Sequence, residues 1–211
     1  MKALVVRGGW PGHSPVEATD RFLPFLRESG FEVDVSDSLD AYDEGLGEYD
    51  LIVQCWSDGE LTDRQFECLE AAVRSGTGLA GWHGGLVDAF RHSRGYMRLV
   101  GGQFVAHPGD FVDHQVNITS THPIVTDLSG FTVHTEQYWV LTDNLNDVHA
   151  TTTFPATDPW HAPLTVPAVW TRRWGAGRVF ACTIGHHPTD LDLPPIRTIV
   201  ERGLLWSAAR S

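Results

Sequence analysis

Three short apolar runs in the first 82 residues constrain this chain more than any other feature: KALVVR at 2–7, LIVQCW at 51–56 and GLAGW at 78–82. Each is short and rich in small or β-branched residues, the pattern of a strand covered on both faces. Helical patterns lie between them. After the loop GGWPGH, the residues Ser14, Pro15, Val16 and Glu17 form a capping-box pattern with proline at the first helical position. They open a predicted helix that carries Val16, Phe22, Leu23, Phe25 and Leu26 and ends at Gly30. FEVDVS alternates as a further strand. Thr62 to Gln65 caps a second helix, with Phe66, Leu69, Ala72 and Val73 on one face and Gly76 closing it. Strand, helix, strand, strand, helix, strand with short connections predicts an α/β fold, a parallel sheet flanked by helices.

After Gly101 the pattern changes. FVDHQVNI alternates, FTVHTEQYWV reads as extended, and AVWTRRWGAGRVFACTIG reads as two strands about a Gly-rich turn, so an antiparallel extension is expected in the C-terminal half. A last helix is expected over 194–209, with Ile196, Ile199, Val200, Leu204 and Leu205 at helical spacing. A length of 211 residues without internal repeats suits a single domain over 1–211.

Composition narrows the partners. Twenty-seven acidic residues against 15 basic ones give a net charge of −12, which disfavours nucleic acid and anionic membranes. No apolar run approaches the ~20 residues of a bilayer span, and the start MKALVVRGGW lacks the apolar core of a signal peptide, so the expected compartment is the cytoplasm. Cys55, Cys68 and Cys182 form no CxxC pair and read as reduced thiols. The excess lies in eleven His and eight Trp.

Ligands of such sheets sit beyond the carboxyl ends of the strands. The loops expected there carry Trp10 and His13, Trp56 and Asp58, His83, and His186 with His187. AGWHGG has the strand–turn–helix layout of a nucleophile elbow, with glycines giving the turn its room. His83 stands where that layout places Ser or Cys. A helix start disfavours positive charge by about 0.3–1 kcal/mol, which biases this imidazole toward the neutral form that binds metals or accepts protons. The alternative is a histidine satisfied by backbone groups. His107, ahead of Pro108 and Gly109, belongs to a turn that can face a cleft. Glu136, beside Tyr138 and Trp139, is a candidate acid, base or hard metal ligand. No HExxH pair exists, so a metal site has to be assembled from distant loops. GxxxxGK[ST] is absent and the GAG of WGAGRV joins two strands, which argues against a nucleotide cofactor. Trp10, Trp56, Trp82 and Tyr138 lie near these histidines and offer faces for a sugar. His122 is expected in an ordinary His-Pro turn, and His92, His149 and His161 at the surface.

GWHGG, GYMRLVGGQFVAHPGD, THPIVTDL, TEQYW, PAVWTRRWGAGRVFACTIGHH and the terminal helix, in that order, resemble the ThuA-like (trehalose utilization) family from Lys2 to Ser207. The resemblance implies a flavodoxin-like parallel sheet of the class I glutamine amidotransferase type and a role in carbohydrate metabolism. It implies His13, His83, His107, Glu136 and His186 as recurrent polar positions. With His83 in place of a cysteine nucleophile, amidotransferase activity is not expected. The expected function is that of a sugar-processing enzyme, a hydrolase or isomerase acting on a sugar or keto-sugar. In it Glu136 and His83 are catalytic, His83, His107 and His186 bind a divalent metal, zinc before others, and Trp10, His13, Trp56, Trp82 and Tyr138 bind substrate. A homo-oligomer is compatible with this. The alternatives are a noncatalytic carbohydrate-binding or regulatory module and an interaction subunit for a dehydrogenase.

Overall fold

The computed structural model describes residues 1–209. The chain opens with β1 (Lys2–Gly9), α1 (Pro15–Asp20), α2 (Leu23–Glu28), β2 (Glu32–Ser36), β3 (Leu51–Ser57), α3 (Asp63–Ser75) and β4 (Gly78–Trp82). It continues through α4 (Gly84–Val87), α5 (Arg94–Val100), β5 (Gly102–Ala106), β6 (Phe111–Ile118), β7 (Phe131–Glu136), β8 (Trp139–Thr142) and β9 (Asp147–Phe154). β10 (Leu164–Trp174), β11 (Gly177–Cys182) and α6 (Pro194–Ala208) complete it. Among the described residues, one sheet runs in the order β2-β1-β3-β4-β11-β10-β9-β6-β7, and β5 pairs separately with β8. The strands from β2 to β11 in that order are parallel. Those from β10 to β7 are antiparallel, as the alternating C-terminal segments predict.

Strand alternation sorts side chains into two cores. Ala3, Val5, Val53, Ala80, Trp82, Phe180 and Cys182 face α1, α2 and α6, where Phe22, Leu26, Ile199 and Leu204 meet them. Leu4, Val6, Ile52, Leu79, Val179 and Ala181 face α3, α4 and α5, packing on Leu69, Val73, Leu86 and Leu99. Both faces of β1, β3, β4 and β11 are thus largely dry, the buried amide of Gln54 in β3 being satisfied by Tyr42 and the Gly85 carbonyl. At α3 the capping box forms as read: Gln65 N–H donates to Thr62 Oγ1 at 3.2 Å, and Thr62 N–H donates to Gln65 Oε1 at 3.1 Å.

The first helix departs from expectation. A 3-10 turn over Pro11–His13 runs directly into α1, placing Ser14 in the left-handed region (φ 44°) without a side-chain cap. Its backbone N–H instead donates to the Pro11 carbonyl at 2.9 Å. The expected continuous helix to Gly30 breaks between α1 and α2, because Pro24 in the first turn of α2 has no N–H to continue the ladder.

Candidate metal centre and sugar cavity

The carboxyl ends of β1, β3, β4 and β11 bring four loops together. His13 follows β1, Ser57 ends β3, His83 follows β4 and His186 follows β11. Glu136 arrives by a different route. The ribbon of β6 and β7 joins the sheet only where Asn117 and Ile118 pair with Thr151 and Ala150 of β9, so its far end is free to fold over the parallel strands. At that end Phe111 pairs with Glu136. Thr135 Oγ1 donates to buried Asp190 Oδ2 at 2.7 Å, and Asp190 also accepts from His187 N–H at 3.1 Å. One carboxylate therefore ties the strand of Glu136 to the loop of His186.

The turn at His83 is strained: φ is 47° and ψ is −146°, a region that residues other than glycine avoid. Two hydrogen bonds to the end of β11 hold it. His83 N–H donates to the Cys182 carbonyl at 2.7 Å, and ring Nδ1 lies 2.8 Å from the Thr183 carbonyl, which can only accept. Nδ1 therefore carries the proton, and in the neutral ring Nε2 presents a lone pair. That lone pair lies 3.1 Å from Glu136 Oε2. The glycines after His83 have separate tasks. A Cβ on Gly84 would stand 2.2 Å from His13 Cε1, and one on Gly85 would stand 2.8 Å from Cys55 Cα.

His13, His83, Glu136 and His186 each offer a ligand atom, all within 4.8 Å of one another. His186 Nδ1 lies 3.0 Å from Glu136 Oε2 yet is buried without a hydrogen bond. His13 Nδ1 lies 2.6 Å from Ser57 Oγ, which leaves its Nε2 as the uncommitted nitrogen. Burial, reinforced by His83 and His186, pulls the His13 imidazole down to about 3, and burial also lowers His83. Burial alone would raise the Glu136 carboxyl, but contact with His186 and His83 outweighs it and holds the group well below the usual carboxylate range. Neutral His13 and His83 rings around an ionised carboxylate are in the protonation state that a cation requires. Tetrahedral ligands at about 2.0–2.1 Å from an ion are about 3.3 Å apart, close to the contacts that His83 and His186 make with Glu136.

Above this group lies a cavity of about 250 Å³ lined by Trp10, Ser57, Asp58, Asp88, Arg91, Phe104, His107 and Tyr138 together with His13 and Glu136. Tyr138 stacks on His83 with centroids 3.9 Å apart, and burial pushes its phenol well above the ordinary range. Trp10, half exposed, meets His13 edge-on at 4.8 Å.

The expected site residues are brought together only in part. His13, expected as a substrate contact, lines the cavity and also lies within the group of side chains that could hold a metal ion. His107, read as a ligand, lies outside it, with Nε2 3.7 Å from the other Glu136 oxygen and its ring over Phe104. Trp82 does not reach the cavity: its position in β4 points it into the core, 1% exposed and 5.0 Å from the Phe22 ring. Trp56 is likewise set aside, its ring wedged against Gly8 and Gly59. His149 is buried and not at the surface, bridging Ser120 Oγ and Thr171 Oγ1 at 3.0 and 2.8 Å. His92 and His161 are exposed and His122 begins a turn, as expected. Asp88, Arg91 and Phe104 were not foreseen. The i, i+3 spacing of Asp88 and Arg91 was the one available signal for them, and it is common on any surface.

The family model for ThuA, described as trehalose utilisation, matches residues 2–207. The chain belongs to the ThuA family. This membership places it in carbohydrate metabolism. A ThuA-like protein from Parabacteroides merdae superposes with a TM-score of 0.80 at 17% identity, over 99% of this chain and 90% of that one. One from Bacteroides uniformis gives 0.78 at 18% identity, over 98% and 91%. A beta-galactosidase from Bacillus circulans sp. alkalophilus gives 0.60 at 11% identity, over 98% of this chain but 30% of its own. These likenesses establish the flavodoxin-like fold. A search of curated proteins finds no match. Among the described residues, no helix is long and apolar enough to cross a membrane.

Proposed function

We propose that this ThuA protein is a metal-dependent sugar-processing enzyme, a hydrolase or isomerase acting on a sugar or keto-sugar. The observation that carries the reading is the pair of acceptor atoms His83 Nε2 and Glu136 Oε2 at 3.1 Å, with buried His186 Nδ1 unpartnered beside them. Two lone pairs that close repel unless a proton or a cation lies between them. A nitrogen-rich set with one carboxylate favours zinc and its late first-row neighbours over magnesium or calcium. A divalent ion held there supplies a Lewis acid for a sugar hydroxyl or carbonyl oxygen.

The chain's own residues divide the remaining work. With His13 held on Ser57 through Nδ1, its Nε2 would join His83, His186 and Glu136 in holding the ion, and His13 and Glu136 bring that group to the cavity wall. Glu136, firmly ionised, contributes charge and not a proton. His107, beside the second Glu136 oxygen and a third exposed, is the better placed group to exchange protons with solvent. Tyr138, kept neutral, offers its phenol to a substrate oxygen.

Metal analysis of the full chain purified without chelators and then reconstituted with zinc tests the reading. About one tightly held equivalent is expected, lost in Glu136→Gln and in His186→Ala. A wild-type protein that retains no ion would overturn it. Incubation of the loaded protein with trehalose and glucose, followed by proton NMR, separates turnover from binding alone; binding without conversion would favour the noncatalytic module.

A further inference from the structure

Asp58, Asp88 and Arg91 line the cavity but have no part in holding an ion. Asp58, directly after β3, has φ 54°, and its N–H donates to the Asp88 carbonyl at 3.1 Å, while Gly59 N–H donates to the Ala89 carbonyl at 2.6 Å. These bonds fix the two segments side by side. Asp88 grips Arg91 at both oxygens, with Nε and Nη2 each 2.6 Å away. Arg91 Nη1 and the Asp58 carboxylate have no hydrogen-bond partner among the described residues. The same cavity is therefore lined by a spare acceptor and a spare charged donor. Sugar hydroxyls on adjacent carbons need that combination, because each both donates and accepts.

Charge and size restrict the ligand further. On this wall Asp58 and Asp88 set two carboxylates against one guanidinium that Asp88 already pairs, the charge of Glu136 being met by the ion. A phosphate ester or uronic acid directed at this wall meets net negative charge. A volume of about 250 Å³ equals roughly eight water molecules at about 30 Å³ each, room for one sugar ring with its hydroxyls. Trp10 and Phe104 provide apolar faces for the C–H surface of that ring.

We propose that Asp58 and the Asp88–Arg91 pair are the specificity-determining wall for one uncharged sugar ring, reading two neighbouring hydroxyls and rejecting phosphorylated or acidic sugars. This rests on the sugar-processing reading of the same cavity.

The test is equilibrium binding, by calorimetry or saturation-transfer NMR, on the zinc-reconstituted full chain with glucose, trehalose and glucose 6-phosphate as probes. Asp58→Asn is the informative variant, because asparagine tolerates the left-handed backbone at this position. Wild type is expected to bind glucose and trehalose more tightly than glucose 6-phosphate. Asp58→Asn is expected to weaken the neutral sugars about tenfold while narrowing the deficit of the phosphate ester. Tighter binding of glucose 6-phosphate by wild type, failure of wild type to bind either neutral sugar, or an Asp58→Asn change within twofold would each overturn the proposal. Zinc content measured on the same samples keeps the two readings apart. A protein without zinc that still shows the Asp58→Asn loss removes the metal centre but leaves the wall. A zinc-loaded protein indifferent to Asp58→Asn does the reverse.

Discussion

Gly84→Ala perturbs the proposed metal centre without altering any of the side chains that would hold the ion. The added Cβ would stand 2.2 Å from His13 Cε1, 2.7 Å from its Nδ1 and 3.0 Å from Tyr138 Oη, where ordinary contact begins at 3.4 Å. His13 has to retreat by about 1.2 Å or the start of α4 has to move with His83. Metal–ligand distances tolerate only about ±0.2 Å, so either adjustment removes a ligand from range. Displaced supporting contacts typically cost about 10–100-fold in metal affinity, and losing His13 itself sets that range as the expected minimum. Overpacking adds about 1–3 kcal/mol of destabilisation, a fall of about 2–4 °C in Tm for each kcal/mol in a chain of this length. Chelator competition for zinc and calorimetry with and without zinc read the two effects separately. Gly47→Ala is the control, because a Cβ there meets nothing within 4 Å. A Gly84→Ala protein with lowered Tm but zinc affinity within twofold of wild type would refute the placing of His13 among the ligands.

Three further outcomes follow from the wider fold. Burial, with His122 adding to it, pulls the His149 imidazole down to about 4. As pH falls from about 6.5 the unfolded chain takes up a proton that the folded one refuses until about 4. Stability from this group is therefore full above pH 6.5 and declines between 6.5 and 4; thermal melts across that window should show a shallower slope in His149→Gln. Thr62→Ala removes one side of the α3 capping box and should lower stability by about 1 kcal/mol, measured by urea unfolding, with no change in zinc content. Burial pushes the Cys55 and Cys182 thiols up to about 12. A thiol reagent at pH 8 should therefore modify only the half-buried Cys68 in the folded protein and all three in urea; rapid labelling of Cys55 would contradict the packing of β3.

Local rules carried the reading far along the parallel half. The apolar runs at 2–7, 51–56 and 78–82, the Thr62 cap and Gly76 all lie where short-range sterics and hydrogen bonding place them, because each acts within a few residues. The break between α1 and α2 shows where those rules compete. Ser14 and Glu17 spell a cap, but the 3-10 turn before them had already committed the Ser14 backbone. Aromatic residues near a candidate histidine in sequence are a poor guide, since Trp82 adjoins His83 along the chain yet packs into the core on Phe22.

By itself the sequence determined the sheet, its helices, its dry faces and the loops that could carry chemistry, since period and turn chemistry are written residue by residue. Which of those loops meet was decided only by the tertiary structure. Glu136 reaches His83 because a ribbon attached at two residue pairs swings over the sheet edge, and His13 comes up beside His83, Glu136 and His186 because Gly84 leaves space for its ring. Both depend on distances across 50 or more positions of chain, to which no local pattern is sensitive. The elbow at His83 reads alike in sequence and in space; its partners become visible only when the chain is folded.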